Sequence, residues 1–115
     1  MTLDTGSADS FIDRGFLSLL CPDAQIKHSW RPDPTPGAGG RKIVSESTRV
    51  ELVIPAILGR QPILARCVQH VHVVDQYSAL MLLGDEFVKD QGLIIDIVAS
   101  TVTMTKCQNA TVVLV

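Results

Sequence analysis

The chain has 115 residues, of which 46% are hydrophobic and 19% charged, with a formal charge of -2 at pH 7. One domain fits that length, and so apolar a chain with so little net charge is not a disordered tail. Ten basic against 12 acidic residues leave no electrostatic footprint for nucleic acid or an anionic membrane, so neither is expected as a partner.

Thirteen Val and 9 Ile stand against 12 Leu, with only five aromatics. That excess of β-branched residues favours strands and predicts an all-β fold. Residues 1–3 can only end a strand, because Asp4-Thr5-Gly6-Ser7 follows at once and reads as a turn. Residues 10–20 mix apolar and polar positions without a clean period, which suits a short strand plus a helical turn. Pro32, Pro34, Pro36, Gly37, Gly39 and Gly40 then crowd one segment, which excludes a regular helix and predicts a mobile tip.

Strand signals strengthen from Ile43. Residues 48–58 alternate, with Pro55 suggesting an edge or a bulge. Gly59-Arg60-Gln61 supplies a turn, and residues 62–74 run back as the second arm of a hairpin. Residues 79–83 are an uninterrupted apolar run, short enough for a strand buried on both faces and far too short to span a bilayer. Residues 85–92 predict a two-turn helix, with Asp85 accepting from its first amides and Gly92 in the left-handed position past its end. A second hairpin is expected from residues 93–97 and 101–105. Residues 111–115, within a tail at 106–115, have nothing local to pair with and read as an edge strand.

Cys21, Cys67 and Cys107 are odd in number, far apart and without CxxC or Cys/His metal spacing. Buried thiols in a reducing compartment are expected, and with them a cytoplasmic location and no cofactor. Asp4 and Asp9 stand where a signal peptide needs basic and then apolar residues. The Asn109-Ala110-Thr111 sequon is read as accidental. His70 and His72 share one face of a strand at i, i+2, a spacing that can bind metal. No third ligand lies nearby in sequence and Cys67 points to the opposite face, so no metal ligand is assigned. Trp30 either packs under the Pro/Gly segment or anchors a loop.

Asp4-Thr5-Gly6-Ser7 carries the chemistry. A carboxylate leaves a strand end, followed by a hydroxyl and by a Gly that permits a tight turn. Two such carboxylates at close range cannot both ionise. The charged one takes a proton from water while the neutral one donates to a substrate carbonyl, and the pair owns both apparent pKa values. A lone D-T-G can equally be a structural turn, so its surroundings matter.

Those surroundings resemble the retropepsin family, the homodimeric aspartic proteases of retroviruses and LTR retrotransposons, over most of the chain. Met1-Thr2-Leu3-Asp4-Thr5-Gly6-Ser7-Ala8-Asp9-Ser10-Phe11-Ile12 is similar to the family's catalytic loop and following strand. Gly37-Ala38-Gly39-Gly40 falls where the family has its glycine-rich flap, here spanning residues 31–42. Leu82-Leu83-Gly84-Asp85-Glu86-Phe87-Val88, then Gly92 and Ile94-Ile95-Asp96, resembles the family's apolar-apolar-Gly segment, short helix and closing hairpin.

The resemblance implies a small β-barrel or sandwich, with one short helix near residues 86–91. It makes Asp4 the catalytic carboxylate, has Thr5 lock two active-site loops across a dimer axis, and has Gly6 admit the substrate backbone. Ser7 is placed to hydrogen-bond the outer carboxylate oxygen. Ala8 and Asp9 fall on the substrate side of the loop, Asp9 as a contact for substrate main chain or as a solvated turn residue. Gly37, Ala38, Gly39 and Gly40 tip a flap that closes over substrate, and Ile12, Leu80 and Leu82 line apolar side-chain pockets. A single D-T-G supplies half a site, so a homodimer acting on a polypeptide is implied, with the polyprotein of a retroelement as the native target.

Two departures accompany the match. The family has roughly one further hairpin before its catalytic Asp, so the resemblance implies a chain lacking that hairpin. Many viral members also carry an Arg after the Gly of the apolar segment, paired with an acid just past D-T-G; here Asp85 and Ala8 stand there. A second hypothesis keeps the fold as a non-catalytic dimerisation or peptide-binding module.

Overall fold

The computed structural model describes residues 2–32, 36–37, 39–40 and 42–113. Nine strands and two short helices lie among them: β1 (Thr2–Leu3), β2 (Phe11–Asp13), α1 (Arg14–Leu20), β3 (Lys27–Pro32), β4 (Lys42–Leu58), β5 (Gln61–Val74), β6 (Met81–Leu83), α2 (Asp85–Asp90), β7 (Leu93–Asp96), β8 (Thr101–Met104) and β9 (Ala110–Val113). The all-β expectation is met. The strands form one curled sheet in the order β1-β6-β2-β5-β4-β9-β8-β7, with β3 added to β4.

The long β4–β5 hairpin is the axis of the molecule. Its 17-residue first arm, at about 3.3 Å per residue, accounts for the 55 Å long dimension. Alternation sets which face is buried. Val50, Leu52 and Ala56 of β4 point inward, in register with Gln69, Cys67 and Ile63 of β5. Each fully buried Val or Leu contributes about 1.5–3 kcal/mol relative to exposure. The opposite face carries Val53, Ile57, Leu64 and Val68, all exposed. Gly59, at φ 65°, makes the turn between Leu58 and Gln61. Pro55 pairs with Leu64 on β5, and among the described residues β9 meets β4 at Ile57–Thr111. The edge or bulge expected from Pro55 is not found: β4 lies between β5 and β9, and its register with β5 runs unbroken through Pro55.

The three short strands sit beside β5. β2 runs parallel to β5 and antiparallel to β6, and β1 runs parallel to β6. Residues 10–20 form β2 and then α1. Asp13 caps α1 by accepting from the Phe16 amide at 3.1 Å. On the core face, Ile12, Leu17, Val71, Val73, Met81, Leu83 and Phe87 pack together. Gln69, only 1% exposed, donates to Asp90 at 3.1 Å and accepts from Gln91 at 3.1 Å, which ties β5 to the end of α2 without an orphaned amide.

Several expectations change. Residues 79–83 are not one buried strand: only Met81–Leu83 is extended, and Leu80 is 45% exposed at φ 63°. Asp85 does not cap α2. Gly84 is the N-cap residue and makes no side-chain cap bond, while Asp85 lies in the first turn and pairs with Lys89 at 2.8 Å. The first amides of α2 are instead taken by backbone carbonyls of the loop after β1, as described below. Gly92 does occupy the left-handed position, at φ 60°. Of the edge expected at residues 111–115, residues 114–115 lie outside the described residues and 111–113 are no edge, because β9 pairs along its length with β8 and touches β4. Of the three thiols, all free, only Cys67 is buried, and that burial pushes its pKa up.

Candidate active site

The site is built where β1 ends. Two residues of β1 pair with Leu82 and Leu83 of β6, and the Asp4 amide continues the ladder by donating to Leu83 O at 2.9 Å. The chain then reverses: the Ser7 amide donates to Asp4 O at 3.2 Å, and the Gly6 amide donates to Asp4 Oδ1 at 2.9 Å. A carboxylate held by an amide two residues on is an Asx turn. A Cβ at Gly6 would lie 3.1 Å from that same oxygen, so Gly there leaves the carboxylate its position. Asp4, Thr5 and Gly6 are all exposed.

Behind the turn the chain is held far more firmly. The Asp85 and Glu86 amides donate to Ser7 O at 2.6 Å and Ala8 O at 3.0 Å, which satisfies the open end of α2. Ser10 is fully buried. Its hydroxyl accepts from the Gly84 amide at 3.0 Å, its amide donates to Glu86 Oε1 at 3.2 Å, and its carbonyl accepts from the His72 amide at 2.9 Å. Gly84 lets this happen: a Cβ there would run into the Asp9 carbonyl oxygen and come within 2.6 Å of the Ser7 carbonyl oxygen.

The remaining sequence-derived candidates divide. Ser7 does not reach Asp4; its hydroxyl donates to Asp9 O at 2.9 Å. Ala8 is exposed and Asp9 half-buried. Ile12 lines no open pocket, being 0% exposed, because its side chain is the inward member of the β2 alternation. Leu80 is exposed and Leu82 half-buried, on either side of buried Met81. Gly37, Gly39 and Gly40 lie at the tip of the β3–β4 hairpin, exposed and with positive φ of 81°, 62° and 79°; Ala38 and residues 33–35 and 41 lie outside the described residues. The flap-like segment is therefore a hairpin tip, and β3 is the arm that sequence reasoning missed. Trp30 on β3 is 70% exposed opposite Val44, so it packs under nothing among the described residues.

The base of that hairpin is fastened. Arg14 of α1 donates to both oxygens of Glu46 on β4, at 3.0 and 2.6 Å, and to Asp75 at 2.6 Å. His28 on β3 stands 3.4 Å from the same Glu46. Arg14 holds the Glu46 carboxyl below its usual range. Asp13 is lowered too, by the Tyr77 amide at 2.8 Å first and the Phe16 amide second.

Two features were not visible in the sequence. An apolar cavity of about 210 Å³ opens between β1, β4, α2 and β7–β9, lined by Leu3, Ile54, Leu83, Phe87 and Met104 among others. Glu86 also joins His70 and His72, supplying from α2 the third group that local spacing lacked. The signal for Gly84 and Ser10 was present only as part of the Leu-Leu-Gly and catalytic-loop patterns, with nothing to say that they touch.

No protein-family model matches the sequence, and no curated protein matches it. Among solved structures, the chain is similar to the retroviral protease-like domain of Ddi1 from Leishmania major, at 13% identity and a TM-score of 0.46, over 94% of this chain and 76% of that one.

Proposed function

We propose that this chain is a retropepsin-like protomer of an aspartic endopeptidase, and that two copies form the working site. The observation that carries this reading is Asp4: an exposed carboxylate at a strand end, shaped by the Gly6 amide, on a turn whose backbone is pinned to β6. One carboxylate of this kind activates a water poorly. A twofold axis brings Asp4 to Asp4 of a second copy, one proton is then shared, and the pair works as base and acid in turn. Thr5 lies on the exposed turn beside it, where a second copy would meet it. The β3–β4 hairpin tip, with its glycines, is the element that would close over an extended polypeptide and exclude water. The polypeptide would be held by backbone hydrogen bonds, with alternate side chains in apolar pockets. A retroelement polyprotein is the native substrate this reading assigns.

The test is cleavage of an extended polypeptide at acid pH by the purified chain, alongside Asp4→Asn and a statine-type inhibitor. The reading expects cleavage that both abolish, and a dimer in analytical ultracentrifugation. Cleavage that survives Asp4→Asn overturns it. A folded dimer with no turnover under any condition favours a peptide-binding module of the same fold instead.

A further inference from the structure

We propose that His70, His72 and Glu86 bind a divalent transition-metal ion of the zinc class. On β5 the odd positions 69, 71 and 73 face the core, so His70 and His72 share the opposite face. Their rings stand edge to face with centroids 5.1 Å apart. Glu86 arrives from the first turn of α2, and one donor atom from each of the three residues lies within 4.8 Å of the other two. His70 Nδ1 and Glu86 Oε1 are 3.9 Å apart, too far for a hydrogen bond. Ligand bonds of about 2.0–2.2 Å in a tetrahedral zinc site put ligand atoms roughly 3.4 Å apart, which side-chain rotation of Glu86 can supply.

A second observation points to a missing partner. Nδ1 of His72 is shut off from solvent and makes no hydrogen bond among the described residues. A buried ring nitrogen left so is costly, and coordination through that nitrogen would remove the deficit. The ring has little freedom to turn away, since Phe11 packs on it with centroids 5.7 Å apart. Glu86 is oriented too: the Ser10 amide donates to its Oε1, which is the outer support that metal-binding carboxylates need. Two imidazoles and one carboxylate suit zinc, cobalt or nickel, whereas calcium and magnesium take oxygen ligands. Arg49 stands opposite His70 and Ser47 opposite His72 on β4, so an exposed arginine shares the face of the sheet that carries the two histidines. A bound ion would join β5 to α2 and, through Ser10, stiffen the chain just behind Asp4.

The test is titration of the chelator-treated full chain with zinc against a chromophoric chelator, together with zinc-edge X-ray absorption of the loaded protein. One zinc per chain is expected, with a first shell of nitrogen and oxygen that includes two imidazoles. The thermal midpoint of the wild type rises with zinc. His70→Ala, His72→Ala and Glu86→Gln each weaken binding by at least about tenfold and remove that rise. Sulfur in the first shell would assign the ion to the cysteines and overturn the proposal. So would unchanged affinity in the His70→Ala/His72→Ala double variant, or no measurable binding by the wild type. The absorption spectrum needs no variant, so misfolding of a variant leaves the question answerable.

Discussion

The two halves of one short loop are built on opposite principles. Residues 4–6 are exposed and shaped mainly by their own turn. Residues 7–13, directly behind, contribute a fully buried serine, two carbonyls bonded to helix amides, and an aspartate that caps one helix and holds the Tyr77 amide. The Asp4 carboxylate is thus presented on a lightly bonded tip, and the segment that follows holds that tip in place. An exposed carboxylate on such a tip is free to meet a second one; the same carboxylate inside the tied segment would already have its partners.

Substitutions in the two halves should therefore fail differently. The largest effect belongs to the tip. Asp4→Asn is expected to lower cleavage by at least about 10³-fold, with circular dichroism and thermal midpoint unchanged, because the amide oxygen still accepts from Gly6. A large loss of stability in that variant would mean that residues 4–6 are as structural as residues 7–13, and the contrast would collapse. Gly84→Ala tests the tied half. Its Cβ has no room against the Asp9 and Ser7 carbonyls, so denaturant midpoints should fall by the equivalent of about 1–3 kcal/mol, and activity should fall with them. Gly6→Ala is the sharper comparison: the same substitution, placed where the only contact is a carboxylate oxygen at 3.1 Å. Stability should change by less than about 0.5 kcal/mol. Displacing Asp4 by a few tenths of an ångström should cost about tenfold in cleavage rate, read from the ratio of kcat/KM values.

How much of this was legible in the sequence follows the same division. The tip was legible, because an Asp-Thr-Gly turn is a local pattern. The β4–β5 hairpin was legible too, since alternation and a turn glycine are local signals, and its partner is its neighbour. What ties residues 7–13 was not. Ser10 meets Gly84 across 74 positions and Glu86 across 76, and no short-range pattern encodes such a contact. Asp85 was misassigned for that reason: an acid at a helix start is normally its cap, unless distant carbonyls have already taken the amides. β3 hid because Lys27, His28, Ser29, Trp30 and Pro32 are all exposed, so no buried apolar face marks the strand, and its extension comes from pairing with β4. β9 was read as an edge because its partners, β8 and Ile57 of β4, include one more than fifty residues away.

The smallest effect concerns pH, and it bears on why the tied half carries charge at all. In the folded chain Asp13 has its carboxyl lowered from an ordinary 3.8 by amide hydrogen bonds, Tyr77 before Phe16. A depressed carboxyl contributes stability that is fully present above the unfolded value and is lost as pH falls through the lower, folded value. Glu46, lowered from 4.5 chiefly by Arg14, acts in the same direction at the base of the β3–β4 hairpin. Both groups stay ionised further into acid than a free carboxylate does, and the stability they contribute declines as pH falls below their ordinary values. Asp13→Asn keeps an acceptor for the two amides but cannot ionise. Thermal midpoints measured from neutral pH down past 3.8 should therefore fall less steeply in Asp13→Asn than in the wild type, by a few degrees at most. A wild-type acid limb as flat as that of the variant would remove Asp13 from the groups that hold the loop behind Asp4 in acid.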